Sequence, residues 1–380
     1  MPIYLDYNAT TPVLPEVVDA MLPFLREHFG NPSSSHAYGK AAREAVGKAR
    51  AEVAALIGAS PDEIVFTSGG TEANNLAIRG AAEAGPARRH LVTSVVEHPA
   101  TEKPCAFFES HGYEVTRLSV DPFGRVEAGA AAAFVRGDTL LVTVMHANNE
   151  VGTVQPIRKL SDVAHARGAL VHTDAAQSVG KVPVSVDELG VDLLSIAGHK
   201  LYAPKGVGAL FVRRGTPVAP FALGAGHERG LRPGTENVAS IAGLGMACEI
   251  ARAALDAESG RVKGLRDRLW KLLKAGVPGL ALNGHPVERL PNTLNVRFPG
   301  VRGGEVLARA PEIAASTGSA CHEGGESASA VLLATGIDPR SALGSVRLSL
   351  GRGTTPDQVE TAAAALVSAW RETASAAAGS

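Results

Sequence analysis

Short apolar runs that end in polar residues recur along the first half of the chain. Each run is rich in Val, Leu or Ile and stops at residues such as Gly, Asn, Asp or His. The runs cover residues 63–70, 90–98, 139–150, 169–177 and 192–200. Apolar runs of this length between turn residues predict buried β-strands.

Alanine-rich helical windows separate these strands, and residues 156–168 (PIRKLSDVAHARG) are one example. Alternating strands and helices predict an α/β fold in which helices cover both faces of a mostly parallel sheet. Ligands bind such sheets just beyond the carboxyl ends of the strands. Because the polar clusters of this sequence lie at those ends, they are the candidates for a functional site.

The last third of the chain has a different pattern. Residues 259–276 predict a strong helix, and residues 290–300 predict a strand between turn residues. Residues 354–374 predict a closing helix that is capped by Thr354 or Thr355. This mixture of elements predicts a smaller α+β domain.

A chain of 380 residues is long enough for two domains. We expect residues 16–258 to form the large domain, and residues 1–15 and 259–380 to form the small one. Residues 1–15 either fold with the small domain or lie over the site.

The composition is that of an ordinary soluble globular protein, with 45% hydrophobic and 20% charged residues. A net charge of −1 gives no electrostatic reason to expect binding to nucleic acid or to an acidic membrane surface. No apolar run is long enough to predict a membrane-spanning helix, and the N-terminus lacks the pattern of a signal peptide. We therefore expect a cytoplasmic protein.

The sequence contains three cysteines, Cys105, Cys248 and Cys321. This sparse, odd set favours reduced thiols in a cytoplasm, and the absence of CxxC spacing predicts no metal site. Cys105 and Cys248 lie in predicted helices, where we expect them to be packing residues. Cys321 lies in the polar loop STGSACHEGGESASA (316–330), and these surroundings favour a reactive thiol over an inert core residue.

Lys200 follows a predicted strand, and Asp174 ends another. A lysine held at a strand end can form a Schiff base with an aldehyde, although a solvated surface lysine is the commoner alternative. A buried carboxylate needs a cationic partner, and the alternative for Asp174 is a helix cap. Lysine with an Asp partner is the recurring pair that binds pyridoxal phosphate.

Two further clusters lie at strand ends. The turn SGGTEANN (68–75) joins a strand to a predicted helix, and free amides at a helix start suit a phosphate group. Many glycine turns have no such role. His98, in VEHPA, lies where an imidazole would stack on a ring, although a single histidine is more often structural.

Ten ordered motifs extend this picture over nearly the whole chain, from Tyr4 to beyond Arg352. They are YLDYNATTP, GNPSSSH, FTSGGTEANN, VEH, ANNEVGTVQP, HTDAAQ, GHKLYAPKG, GHERGLRPGTEN, LPNT and RLSLGR. Together they resemble the pyridoxal-phosphate-dependent cysteine desulfurases of the aminotransferase class V family. RPGTEN and the ACH segment are also similar to selenocysteine lyase. The resemblance implies a PLP-transferase fold of type I, the aspartate aminotransferase-like fold.

The resemblance also implies roles for the residues that would bind the cofactor. Lys200 would carry pyridoxal phosphate as a Schiff base, and Asp174 would hold its pyridinium nitrogen. Gln177 would hydrogen-bond the ring hydroxyl. His98 would stack on the ring and help to move protons.

Other residues would bind the phosphate and the substrate. Gly70, Thr71 and His199 would hold the phosphate, together with Thr235 from a second subunit. Asn149, which also contacts the cofactor, and Arg352 would hold the substrate carboxylate, because an arginine suits that planar anion. The chain departs from the family at position 197, where alanine stands in place of a frequent serine and one hydroxyl contact to the phosphate is missing.

The implied reaction converts L-cysteine to L-alanine and leaves a persulfide on Cys321, which passes the sulfur to an acceptor protein. The alternative is a selenocysteine lyase that releases selenide and L-alanine from L-selenocysteine. An aminotransferase or a racemase on the same fold would not need Cys321. A sulfur carrier without catalytic activity would not need Lys200 together with Asp174. The phosphate contact from Thr235 implies a homodimer.

Overall fold

The computed structural model describes residues 1–317 and 327–378, and its strands follow the apolar runs of the sequence. The strands are β1 (Ile3–Tyr4), β2 (Ile64–Thr67), β3 (His90–Ser94), β4 (Glu114–Leu118), β5 (Thr139–Thr143), β6 (Leu170–Asp174), β7 (Leu193–Ala197), β8 (Gly208–Val212), β9 (Ala281–Asn283), β10 (Thr293–Arg297), β11 (Ile313–Ala314) and β12 (Ser345–Ser349). The helices are α1 (Pro15–Arg26), α2 (Ala37–Ile57), α3 (Gly70–Ala84), α4 (Pro99–Ser110), α5 (Ala128–Ala131), α6 (Ile157–His165), α7 (Val186–Leu189), α8 (Val238–Gly276), α9 (Gly303–Ala308), α10 (Ala330–Ala334), α11 (Pro339–Ala342) and α12 (Pro356–Ala378).

A seven-stranded sheet in the order β2-β8-β7-β6-β5-β3-β4 forms the centre of the molecule. Its strands are parallel except β8, which pairs antiparallel with both β2 and β7. Neighbouring strand residues such as Leu91 and Val92 are fully buried in cores on opposite faces of the sheet. Successive side chains of a strand point to opposite faces of the sheet. Because both neighbours are buried, both faces of the sheet are covered, and helices provide the cover. The predicted α/β fold is confirmed.

A second core lies around a three-stranded antiparallel sheet in the order β12-β10-β9. Its buried side chains include Leu5, Val296 and Val359, which come from the two ends of the chain. The short strand β1 pairs in parallel with β11 and brings the N-terminus to this core. The Thr355 hydroxyl accepts a hydrogen bond from the Gln358 amide at the start of α12, as its predicted cap.

Helix α8 connects the two cores without a break. Its first half buries residues such as Ile241 and Leu244 in the core of the large sheet, and its second half buries Leu265 and Leu269 in the other core. By length and composition this helix could cross a membrane, but its contacts make it a core helix of the fold. The predicted boundary between two domains falls inside α8, and this division of the chain stays a prediction.

Candidate active site

A cavity of about 380 Å³ lies at the carboxyl ends of the parallel strands, against the N-terminal segment of the chain. It brings together eight of the site residues expected from the sequence. These are Gly70, Thr71, His98, Asn149, Asp174, Gln177, His199 and Lys200. The strand-end rule therefore located the cavity correctly.

Lys200 ends a single helical turn, Gly198–Lys200, that directly follows β7. Its ammonium group donates hydrogen bonds to the backbone carbonyls of Asn8 and Ala9, the latter at 2.7 Å. Burial, with a smaller contribution from the nearby Arg347, lowers the pKa of Lys200 to about 8. A lowered pKa increases the fraction of neutral amine, which is the form that attacks an aldehyde.

Asp174 is the last residue of β6, and its carboxylate is buried. One oxygen, Oδ2, accepts a hydrogen bond of 2.7 Å from the Asn74 amide, and Oδ1 accepts one of 2.9 Å from the Ala176 backbone. These two donors fix the rotamer of the carboxylate at the cavity. The role of Asn74 was not predicted, because its position on α3 meets Asp174 only through tertiary packing.

The start of α3 forms one end of the cavity. Gly69 precedes the helix with a φ of 149° and provides no side-chain cap, so the first backbone amides of the helix remain available to a ligand. A Cβ added at Gly70 would lie 3.2 Å from the Cβ of Ala197, so this position has little room for a side chain. Helix amides of this kind favour an anionic group.

His199 and His98 lie at other edges of the cavity. Burial and the neighbouring cation of Lys200 lower the pKa of His199 to about 4, so this imidazole is neutral near neutral pH. His98 caps α4, where its Nδ1 accepts a hydrogen bond of 3.1 Å from the Ala100 amide. Burial also lowers the pKa of His98, and Asp174 opposes that change. A neutral imidazole is suited to stacking and to accepting a proton.

The structure places Arg352 outside the cavity, whereas the resemblance implies a role for it in binding the substrate. This residue follows the end of β12 and does not line the cavity, and its side chain donates to the Ile250 carbonyl instead. Arg347 on β12 occupies the cavity, where it donates to Asp6 at 2.8 Å and to the Asn149 carbonyl at 3.1 Å. Both arginines belong to the motif RLSLGR. Arg347 lies within β12 and Arg352 lies beyond its end, and this difference decides which one faces the site.

Thr235 is exposed and does not line the cavity of its own chain. Its loop contacts the start of α3 through Arg232, whose Nε donates to Glu72 at 2.9 Å. This position is open to a second subunit, and the contribution of Thr235 across an interface stays a prediction.

Cys321 lies outside the described residues. The segment that contains it is bounded by anchors next to the cavity, since the Ser316 carbonyl accepts a hydrogen bond of 2.7 Å from the Arg347 backbone. On the other side, the Ser329 hydroxyl donates to the Glu150 carboxylate. Both described residues therefore lie next to elements that line the cavity.

The other two cysteines are buried, Cys105 in α4 and Cys248 in α8. Burial raises the pKa of Cys105 to about 12 and also raises that of Cys248. A protonated, buried thiol is a poor nucleophile. The prediction that both are packing residues is confirmed.

The residues of the cavity fit pyridoxal phosphate. An amine with a lowered pKa, a fixed carboxylate and a helix start provide partners for its aldehyde, its ring nitrogen and its phosphate. Within residues 1–317 and 327–378, no group of three or more His, Cys, Asp or Glu side chains could hold a metal ion.

The chain belongs to the aminotransferase class-V family, whose sequence pattern matches residues 3–361. Its relatives include the cysteine desulfurase IscS of Dictyoglomus turgidum, 47% identical over 94% of this chain and 91% of the relative. The cysteine desulfurase IscS of Anaeromyxobacter sp. (strain Fw109-5) is 48% identical over 95% of this chain and 90% of the relative. These relatives confirm the resemblance and favour cysteine desulfurase over selenocysteine lyase.

Solved structures agree with the fold. A NifS-like protein superposes with a TM-score of 0.91 and 37% identity, covering 97% of this chain and 99% of the other. SspA in complex with cysteine superposes with a TM-score of 0.82 and 37% identity, covering 93% and 99%. The expected type I fold of PLP-dependent enzymes is confirmed.

Proposed function

We propose that the protein is a pyridoxal-phosphate-dependent cysteine desulfurase that passes sulfur from L-cysteine through Cys321 to an acceptor protein. The observation that carries this proposal is the cavity in which Lys200, Asp174 and the start of α3 converge. The three groups match the three polar ends of the cofactor. The sequence relatives support the same reaction.

Bound pyridoxal phosphate supplies an electron sink next to the substrate amine. Lys200 would bind its aldehyde, Asp174 would hold the ring nitrogen, and His98 would cover the ring. The amides of Gly70 and Thr71 would hold the phosphate. Lys200 would also accept the α-proton of the substrate, because its lowered pKa permits a neutral amine at this position.

Arg347 and Asn149 hold the substrate carboxylate in this proposal. The Arg347 guanidinium is buried beside Asp6, which fixes its orientation on the side facing the cavity. Arginine binds a carboxylate through two parallel hydrogen bonds and so determines the orientation of the whole amino acid. The substrate sulfur is then held at a fixed distance from the ring.

Cys321 attacks the substrate sulfur as a thiolate. The Cβ–S bond breaks as the S–S bond of the persulfide forms, and the electron pair of the broken bond remains with the carbon skeleton, which takes up protons and leaves as L-alanine. Cys321 follows Ser316 by five residues in the sequence, and an extended chain spans roughly 3.5 Å per residue, so the chain length alone places an upper bound of about 17 Å on the separation of the two Cα atoms.

The central test compares Cys321→Ala with the wild type. We expect the variant to lose nearly all alanine formation from L-cysteine and to keep the visible absorbance of the bound cofactor. Alanine is measured from L-cysteine and from L-selenocysteine, with and without a reducing thiol. Cysteine turnover by the variant at the wild-type rate would exclude Cys321 as the nucleophile. A wild type that forms alanine only from L-selenocysteine would establish the lyase instead.

The proposal includes a cytoplasmic homodimer in which Thr235 completes the phosphate site of the partner. Mixed dimers of Lys200→Ala and Thr235→Ala chains then have one site with both lesions and one with neither. We expect each mixed dimer to have about half the activity of a wild-type dimer, and a randomly reassorted mixture, in which half of the dimers are mixed, to have about a quarter. Active enzyme that sediments as a monomer contradicts this arrangement.

A further inference from the structure

We propose that Lys181 is a positioning residue, which orients the Gln177 amide so that an N–H group faces the ring hydroxyl of the cofactor. Lys181 follows Gln177 by four residues, in the turn after β6. Its Nζ donates a hydrogen bond of 2.9 Å to Gln177 Oε1. The inference rests on the proposed function, since it concerns a cofactor that the function requires.

The hydrogen bonds of Gln177 determine what this side chain offers to a ligand. The amide is buried, and one N–H of its Nε2 donates to the Asn8 carbonyl at 3.0 Å. Its oxygen is occupied by Lys181. A primary amide has two N–H donors, so the second N–H of Nε2 remains for a ligand in the cavity that Gln177 lines.

Asn8 and Lys181 restrain the amide from opposite ends. If the amide rotated by half a turn, its oxygen would face the Asn8 carbonyl and its nitrogen would face the Lys181 amine. Both contacts would then lose their hydrogen bonds. The N–H group that Lys181 donates also polarises the amide and makes its free N–H a stronger donor. An anionic ring oxygen is the ligand that such a donor favours.

The hydrogen bond to Gln177 is the main interaction of the Lys181 side chain. Burial, followed by the nearby cations of Lys200 and Arg347, lowers the pKa of Lys181 to about 7. Among the described residues no carboxylate forms an ion pair with it. Its backbone amide already closes the turn by donating to the Ser178 carbonyl, without help from the side chain. Either protonation state of the amine can donate to Gln177.

The test measures the affinity of the cofactor-free enzyme for pyridoxal phosphate and for an analogue that lacks the 3-hydroxyl. We expect the wild type to prefer pyridoxal phosphate. Lys181→Met should reduce that preference roughly fivefold, the effect of weakening one hydrogen bond, and should change the affinity for the analogue by less than about twofold. Gln177→Leu should abolish the preference, and adding Lys181→Met to it should reduce the preference no further.

A second variant tests the orientation of the amide with Lys181 in place. Gln177→Glu keeps an acceptor for Lys181 but has no N–H for the ring, so we expect it to lose the preference as Gln177→Leu does. Thermal unfolding of the cofactor-free variants shows whether Lys181→Met folds. If it does not fold, the measurement on Gln177→Glu can still be made.

Equal losses of affinity for both ligands in Lys181→Met would overturn the inference, because they would show a structural role alone. Additive losses of preference in the double variant would overturn it as well. A wild type that binds neither ligand and develops no visible absorbance contradicts the proposed function itself. The two failures are therefore distinguishable.

Discussion

The two walls of the cavity are built in different ways. The sheet wall consists of Gly70, Asp174 and Lys200, each of which lies at the carboxyl end of a strand of the large sheet or within three residues of it. The closing wall consists of Asn8 and Arg347, which belong to the N-terminal segment and to β12. The ends of the strands position the residues of the sheet wall, whereas buried side-chain hydrogen bonds position those of the closing wall.

Asn8 is the centre of the closing wall. Its side chain donates to Thr293 at 2.9 Å and to the Asn149 carbonyl at 3.1 Å, and it accepts from Asn292 at 2.9 Å. Its backbone carbonyl receives hydrogen bonds from Lys200 and from Gln177. The sheet wall therefore contains the groups that we propose to react, and the hydrogen bonds of the closing wall hold Lys200 and Gln177 in place.

Loss of Lys200 should have the largest effect. We expect Lys200→Ala to reduce alanine formation on the order of 10⁴-fold or more and to abolish the visible absorbance of the bound cofactor. Lys205→Ala is the matched control, because Lys205 is exposed five residues further along the same motif and should retain activity. A fully active Lys200→Ala enzyme with unchanged absorbance would remove the chemical role of the sheet wall.

Arg347 and Arg352 provide the sharpest test of the closing wall. Arg347→Ala should lower kcat/KM for L-cysteine by roughly 100-fold, because a charge-assisted bidentate contact to the carboxylate is lost. Arg352→Ala should leave KM within about threefold, since its side chain contacts the Ile250 carbonyl outside the cavity. Steady-state kinetics of both variants measure these effects. A larger loss of kcat/KM in Arg352→Ala than in Arg347→Ala would support Arg352 as the residue that binds the substrate carboxylate.

Asn8→Ala should weaken the closing wall without removing a reacting group. We expect the free energy of unfolding to fall by about 2–3 kcal/mol, because several buried partners of this amide lose their hydrogen bonds. Chemical denaturation of the cofactor-free protein measures the change. Asn75→Ala on α3 is the control, since its amide bonds only the Thr71 carbonyl of its own helix at the surface. Equal stability of the two variants would show that the network contributes little.

Ala197→Ser should strengthen the sheet wall by the smallest amount. A hydroxyl at this position lies next to Gly70 and adds one donor at the phosphate end of the cavity. We expect up to about tenfold tighter binding of pyridoxal phosphate, and no change in turnover at saturating cofactor. Equilibrium titration of the cofactor-free variant measures the affinity, and Ala197→Val serves as a control that adds volume without a donor. Weaker binding by the serine variant would mean that the space beside Gly70 is too small.

The sequence predicted the sheet wall and missed most of the closing wall, for a physical reason. Lys200 and Asp174 follow strands whose apolar patterns are local, so the strand-end rule placed them together. Asn8 hydrogen-bonds Thr293, which is 285 residues away in the sequence, and no local sequence pattern predicts such a contact. Asn74, Lys181 and the choice between the two arginines likewise depend on tertiary packing, which a motif alone does not specify.

The parallel pairing of β1 with β11 has a consequence for synthesis of the chain. Ile3 is translated about 310 residues before its partner Ile313. At roughly 5–20 residues per second, the N-terminal segment waits on the order of tens of seconds for its partner strand. A nascent chain that ends before β12 carries Lys200 and Asp174 without Arg347 and without the partner that fixes Asn8 at Ser349. Lys200 therefore gains its finished surroundings only after β12 has been translated.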